Sequence, residues 1–153
     1  MRILVKKMKI AIANDHAGVE CKKALCEYIS QMGHEVVNFG TDQLSSCDYP
    51  DYAKAVANEV ASGRAQRGIL ICGTGVGMSI AANKVKGIRA SLCDSTFIAE
   101  MTRKHNDSNV LCMGQRVTSL DTMKQIVEVY LNTPFDEENC PGRHTARINK
   151  IEN

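Results

Sequence analysis

The chain contains no tryptophan, only three prolines, three phenylalanines and four tyrosines among its 153 residues. Its net charge is +2, from 19 basic and 17 acidic side chains spread along the sequence. Without a basic stripe or a set of stacking aromatics, nucleic acid is not an expected partner. No apolar run approaches the roughly 20 residues that cross a bilayer, so no membrane partner is expected either. The opening Met1-Arg-Ile-Leu-Val-Lys-Lys is too short for a secretory signal. Residues 1–7 read as an N-terminal extension to a single domain over 8–153. The seven cysteines, at 21, 26, 47, 72, 93, 112 and 140, form no C-x-x-C pair. An odd, unpaired set excludes a disulfide framework and a zinc site, and reads as free thiols in a reducing, cytoplasmic compartment. Metal-ligand spacing, paired carboxylates, internal repeats, G-x-G-x-x-G and P-loop motifs are all missing.

What is present centres on Gly68-Ile-Leu-Ile-Cys-Gly-Thr-Gly-Val-Gly-Met-Ser-Ile-Ala-Ala-Asn-Lys84. An apolar run, then Gly73, Gly75 and Gly77, then helix-permissive residues, predict a buried strand, a tight turn and a helix start. Such a turn lets backbone N–H groups crowd one point at the positive end of a helix, where an anion is stabilised. Cys72 occupies the last strand position beside those amides. A thiol so placed loses its proton more easily than a free one. The stretch therefore offers a base beside an oxyanion hole.

Strand and helix signals alternate along the rest of the chain. Strands are predicted over Met8–Ala13, Glu35–Phe39, Ile69–Cys72, Ile88–Cys93 and Asn109–Met113. Helices are predicted from Cys21 to Met32, from Pro50 to the stop at Gly63, from Met78 to Asn83, from a Ser95 cap to Lys104, after a Ser119 cap, and from Arg143 to Ile151. The helix after Ser119 turns Met123, Ile126, Val127 and Tyr130 inward. This pattern predicts an α/β fold: a Rossmann-like three-layer αβα sandwich with a five-stranded parallel sheet. Ligands of such sheets bind beyond the carboxyl ends of the strands. Asp15, His16, Cys72, Thr74 and the loop after the fourth helix are expected together on that rim.

Several polar clusters admit two readings from the residues alone. Asp15-His16 suits a helix cap with an incidental histidine, or a site. His105-Asn106-Asp107 suits a polar helix end equally well. Arg143 and Arg147, four apart, share a helical face and fit a phosphate between them; a solvated basic tail has the same spacing. Arg116, after Gly114-Gln115, is a further candidate of that kind. Taken together, a thiol base, an amide nest, two histidines and an arginine clamp suit proton abstraction beside a carbonyl on a small phosphorylated substrate.

Five stretches then resemble the type B ribose-5-phosphate isomerases: Asn14-Asp-His-Ala-Gly18, Gly68–Lys84, Arg103-Lys-His-Asn-Asp107, Gly114-Gln-Arg-Val117 and Gly142-Arg-His-x-x-Arg147. They occur in the same order from Met8 to near the C-terminus, and the Cys-Gly-Thr-Gly-x-Gly block is the most specific. The resemblance implies a Rossmann-like aldose–ketose isomerase needing no metal or cofactor, which interconverts ribose 5-phosphate and ribulose 5-phosphate. It implies that Cys72 moves a proton between C1 and C2 through an enediolate. Thr74, Asn106 and the Gly73–Gly77 amides would hold the oxyanion, with Gly73, Gly75, Gly77 and Ser79 contacting substrate. His105 would open the furanose ring and Asp15 would bind hydroxyls. His16, Arg116, Arg143 and Arg147 would bind phosphate. The resemblance also implies a homodimer with shared active sites, in some relatives paired into a tetramer. Cys72 and Met78 match the members that use cysteine rather than a glutamate in the glycine loop. Residues 1–7 precede the family's usual start, and Glu137-Glu-Asn-Cys-Pro141 lengthens the approach to the arginines. Isomerases of six-carbon phosphates such as allose or galactose 6-phosphate share this chemistry, and a non-catalytic phosphate- or nucleotide-binding module would share the turn and the arginines.

Overall fold

The chain forms five strands, β1 (Lys9–Asn14), β2 (Glu35–Asn38), β3 (Arg67–Cys72), β4 (Ala90–Leu92) and β5 (Val110–Gly114). The computed structural model describes residues 6–139 and 141–153. Most of the expected N-terminal extension lies outside those residues; Lys6 and Lys7 are exposed and belong to no strand or helix. The strands pair in parallel in the order β2-β1-β3-β5-β4. The three central strands are buried on both faces, as their continuous apolar runs require.

Six helices connect or follow them: α1 (Val19–Gln31), α2 (Tyr49–Ala61), α3 (Val76–Asn83), α4 (Thr96–Asn106), α5 (Leu120–Asn132) and α6 (Arg143–Glu152). The period-two alternation of the strands sorts the core into two layers. Ile10, Ile12, Ile69, Ile71, Leu111 and Met113 face Leu25 and Ile29 of α1, Ala99 of α4 and Met123, Ile126, Val127 and Tyr130 of α5. Ala11, Ala13, Leu70 and Cys112 face Ala53, Val56 and Ala57 of α2 and Met78 and Ala82 of α3. Each large side chain fully buried here contributes about 2 kcal/mol. The expected αβα sandwich and its inward α5 face are as the periodicity predicts. Ser95 and Ser119 cap α4 and α5 through hydroxyls that accept the Ile98 and Thr122 N–H groups, both at 3.3 Å. Such caps contribute about 1 kcal/mol each.

Boundaries moved where edges and turns compete with the pattern. β4 is shorter than the expected Ile88–Cys93, because Ile88 N–H is taken by Val85 O in a turn and the strand pairs on one side only. Asn14 ends β1 rather than opening a loop, and His16–Gly18 forms a 3₁₀ turn.

Chain order also fixes two rims. The chain runs from β1 outward to β2, then crosses to β3 on the other side. The loops after β1 and β3 therefore part above their carboxyl ends and leave a crevice there. One expectation is corrected. The loop after α4 does not share that rim: it feeds β5, whose Val110 pairs with Gly68 at the start of β3, while Cys72 pairs with Gly114. Any loop entering a parallel strand lies at its amino end. Four residues of strand rise separate the two levels, roughly 13 Å.

Candidate active site

At the carboxyl rim, β3 ends in Cys72, 5% exposed, whose sulfur accepts the Gly75 N–H at 3.1 Å. That contact needs the chain to reverse within three residues. Gly75 does so at φ 82°, ψ −14°, directly before α3, a conformation that a side chain disfavours. A Cβ at Gly75 would also lie 2.8 Å from the Met113 carbonyl carbon, and one at Gly114 2.4 Å from that of Thr74. The turn thus rests directly on the end of β5. Two backbone bonds clasp it: Gln115 N–H to Cys72 O and Arg116 N–H to Gly73 O, each 2.9 Å. The Arg116 guanidinium lies over Gly73, 3.1 Å from where a Cβ would stand. Thr74 is exposed, and its hydroxyl accepts the Val76 N–H at 3.3 Å. The Ser79 hydroxyl donates to Val76 O at 2.7 Å, inside the first turn of α3. Gly77 is covered by the Tyr49 ring.

Asp15 and His16 stand beside this turn. Asp15 N–H donates to Ile71 O at 3.1 Å, which ties the β1 loop to β3. Asp15 Oδ1 caps the 3₁₀ turn through Ala17 N–H at 2.9 Å; its other oxygen is 4.0 Å from His16 Nδ1. His16 Nδ1 also accepts Cys47 N–H at 3.3 Å, so in the neutral ring the proton sits on Nε2. Buried Asn14 braces the crevice, donating to Asp15 O at 2.8 Å and Thr41 O at 2.9 Å. Of the candidate residues, the structure gathers Asp15, His16, Cys72–Gly77, Ser79 and Arg116 here.

His105, Asn106, Arg143 and Arg147 gather at the opposite rim. They line a cavity of about 330 Å³ with Asp136 and His144. His105 is exposed at the end of α4 and stacks on His144, with centroids 4.8 Å apart and planes at 24°. The helix-face reading of Arg143 and Arg147 holds: both lie on α6 and line the same cavity. Gly142, at φ 76°, turns the chain into α6. Glu137 accepts Gly142 N–H at 3.2 Å and the Thr145 hydroxyl, and these bonds hold its carboxyl below the usual range. His144 is the residue that sequence reasoning left out of the site, although it sits between the two arginines; its burial against His105 is a tertiary fact. A second cavity, about 470 Å³, lies on the other side of Asn106 and Ile151 and is lined by Asn83, Lys86, Arg89 and Ser91. It is larger and is lined by no thiol or histidine.

Burial raises Cys21 and Cys26, pushes Cys93 up to about 12, and holds Cys112 well above its ordinary value. They remain protonated packing groups at neutral pH. Among the described residues no group of three or more His, Cys, Asp or Glu side chains is placed to hold a metal ion, and no helix is long and apolar enough to cross a membrane.

Comparison with known proteins identifies the family and the fold. Residues 10–151 match the Ribose/Galactose Isomerase family. The chain is 50% identical over 145 residues to a putative sugar phosphate isomerase of Bacillus subtilis, covering 94% of this chain and 95% of that one. It is 45% identical over 143 residues to ribose-5-phosphate isomerase B of Escherichia coli, covering 94% and 93%. Its fold superposes on ribose-5-phosphate isomerase B of Clostridium thermocellum with a TM-score of 0.90 at 47% identity, covering 95% of both chains. With a cysteine-bearing glycine turn at one rim and an arginine–histidine cavity at the other, the chain belongs to the ribose/galactose isomerase family.

Proposed function

We propose that this enzyme interconverts ribose 5-phosphate and ribulose 5-phosphate, with Cys72 as the base. The observation that carries the reading is the Cys72 sulfur 3.1 Å from the Gly75 amide, at the start of α3. A thiolate there removes the proton on C2 of the open aldose. The electrons move into the C1–C2 bond and the C1 oxygen takes up negative charge; a proton passes from the C2 hydroxyl to the C1 oxygen, and the enediolate is reprotonated at C1 by the Cys72 thiol to give the ketose. The Gly73–Gly77 amides and Thr74 stabilise that charge where it develops. His105 donates and accepts protons in ring opening, Asn106 helps hold the oxyanion, and Asp15 orients hydroxyls. His16, Arg116, Arg143 and Arg147 hold the phosphate, Arg by bidentate pairing.

The working unit of this reading is a homodimer in the cytoplasm. A single chain keeps its base and its arginine cavity on opposite rims, so neither half is complete. A two-fold partner presents the same surface reciprocally and assembles two equivalent sites. Exposed Val76, Ile80, Leu92, Phe97 and Ile98 supply apolar surface around α3 and the start of α4 for that contact. Pairing of dimers into a tetramer is compatible with this reading.

The test is an isomerisation assay on ribose 5-phosphate, allose 6-phosphate and galactose 6-phosphate side by side, with iodoacetamide labelling of Cys72 in parallel. Turnover highest on ribose 5-phosphate, and labelling slowed by it, are expected. Higher turnover on a six-carbon phosphate overturns the substrate assignment. No turnover on any of them, with slow and unprotected labelling, overturns the enzyme reading in favour of a phosphate-binding module.

A further inference from the structure

The turn that carries His105 and Asn106 is gripped from two sides by arginines outside the candidate site. Arg89, just before β4, donates from Nε to Asn106 O at 2.9 Å and from Nη2 to Asp107 O at 2.9 Å. Its Nη1 donates to Glu152 Oε1 at 2.6 Å, on the last turn of α6. Arg103 donates from Nη1 to Asp107 Oδ1 at 2.8 Å and to Ser108 O. Two guanidinium groups thus occupy the carbonyls of three consecutive residues and the carboxylate between them. The turn needs such support, because Asp107 sits at φ 45°, a left-handed conformation unfavourable for a residue with a side chain. The Arg89 backbone is itself pinned: its N–H donates to Asn109 Oδ1 at 2.8 Å and its carbonyl accepts the Ser108 hydroxyl at 2.9 Å.

Arg89 is also the one bridge of this set between two elements that the chemistry needs in register. α4 ends in His105 and Asn106; α6 carries Arg143 and Arg147. α6 has one buried residue, His144, so contacts at its far end matter for where its arginines point. We propose that Arg89 is a positioning residue for the isomerisation: its fork sets the turn of His105 and Asn106, and its pair with Glu152 sets the arginine helix against that turn. The inference rests on the isomerase reading. It predicts a division of labour. Losing the fork moves the group that acts on the ring, whereas losing only the Glu152 contact moves the phosphate clamp.

Arg89→Lys keeps the charge but cannot offer three N–H donors in a fixed plane. Its kcat on ribose 5-phosphate is expected to fall about tenfold or more, the scale of a sub-ångström to ångström misplacement, with KM raised and the melting temperature within a few degrees of wild type. Glu152→Gln, near the chain end and partly exposed, is expected to raise KM several-fold with kcat within about twofold, the signature of lost ground-state binding. Arg89→Lys with kcat and KM both within about twofold of wild type overturns the proposal. So does a kcat loss that disappears once corrected for the folded fraction. Should Arg89→Lys fail to fold, an unchanged KM in Glu152→Gln overturns it instead. A wild-type chain inert on ribose 5-phosphate overturns the isomerase reading and this role with it; an active wild type with unaltered variants overturns this role alone.

Discussion

In the proposed reading the two rims of the sheet solve the same problem, placing polar groups around a small anion, with different materials. The carboxyl rim uses backbone. Cys72 and Gly73–Gly77 sit on the ends of β3 and β5, held by main-chain bonds and by approaches that no Cβ could tolerate. The amino rim uses long side chains on helix ends, held by arginine-to-carbonyl and arginine-to-carboxylate contacts. Backbone bolted to a buried strand has no rotamers to lose, so it suits a site that must meet a developing charge without reorganising. Side chains on α4 and α6 reach further, which suits grasping a phosphate and a sugar ring presented from another surface.

The contrast is broken most severely at Cys72. Cys72→Ala is expected to keep the wild-type melting temperature within a few degrees and lose at least about two orders of magnitude in turnover. Cys112→Ala and Cys93→Ala should retain turnover and lose stability instead, by about 1–2 kcal/mol of packing. Steady-state kinetics with thermal melts separate the two, and a Cys72→Ala enzyme near full activity removes the base assignment.

Joining the rims across subunits is tested by complementation. Cys72→Ala and His105→Ala, each nearly inactive, are unfolded and refolded as an equal mixture. About half the dimers are then mixed, and in each mixed dimer one site carries both defects and the other neither. Activity near a quarter of wild type is expected. A mixture no more active than its parents, with mixed dimers confirmed by mass spectrometry, places both residues in one subunit.

A smaller effect is expected at the amino rim alone. Arg143→Ala and Arg147→Ala should each raise KM about tenfold while kcat changes less, since phosphate is held in ground and transition states alike. Unaltered KM in both makes them surface residues.

The smallest effect lies at the amino ends of β1 and β2, away from the arginine–histidine cavity. His34 is buried; its Nδ1 accepts Met8 N–H at 3.1 Å, and among the described residues its Nε2 has no partner. Burial lowers its proton affinity. The unfolded chain therefore takes up a proton near pH 6.5 that the fold resists. His34 contributes no penalty above that pH, and stability falls as pH drops through the range below it, by at most about 1.4 kcal/mol per pH unit. His34→Gln should flatten the denaturation midpoint between pH 7 and 5. The lowered carboxyls of Asp42, set by Lys22, and of Glu137, set by Thr145, lose their favourable contacts at lower pH, below the ordinary carboxylate range. An unchanged slope in His34→Gln removes this assignment.

Much of this was legible in the chain. The face of α5 followed from Met123, Ile126, Val127 and Tyr130, and the glycine turn after β3 from Gly73, Gly75 and Gly77, because both are local: helical period and conformational freedom need no distant partner. The β4 ends were less legible, since an edge strand is bounded by which neighbours remain to pair with it. His144 was hidden because its role depends on stacking against His105, 39 positions earlier in number and on another helix.

By itself the sequence determined the alternation of strands and helices, the two-faced core, the turn at Cys72 and the pairing of Arg143 with Arg147 on one face. Periodicity and glycine placement act over a few residues, so they survive in one dimension. Only the tertiary structure decided that β5 inserts between β3 and β4, which pairs Cys72 with Gly114 and seats the glycine turn on the end of β5. Only it brought Arg89 within hydrogen-bonding distance of Asn106 and Glu152, residues 17 and 63 positions away. Strand order and side-chain reach are settled by packing among all the elements at once, and no short stretch of sequence carries them.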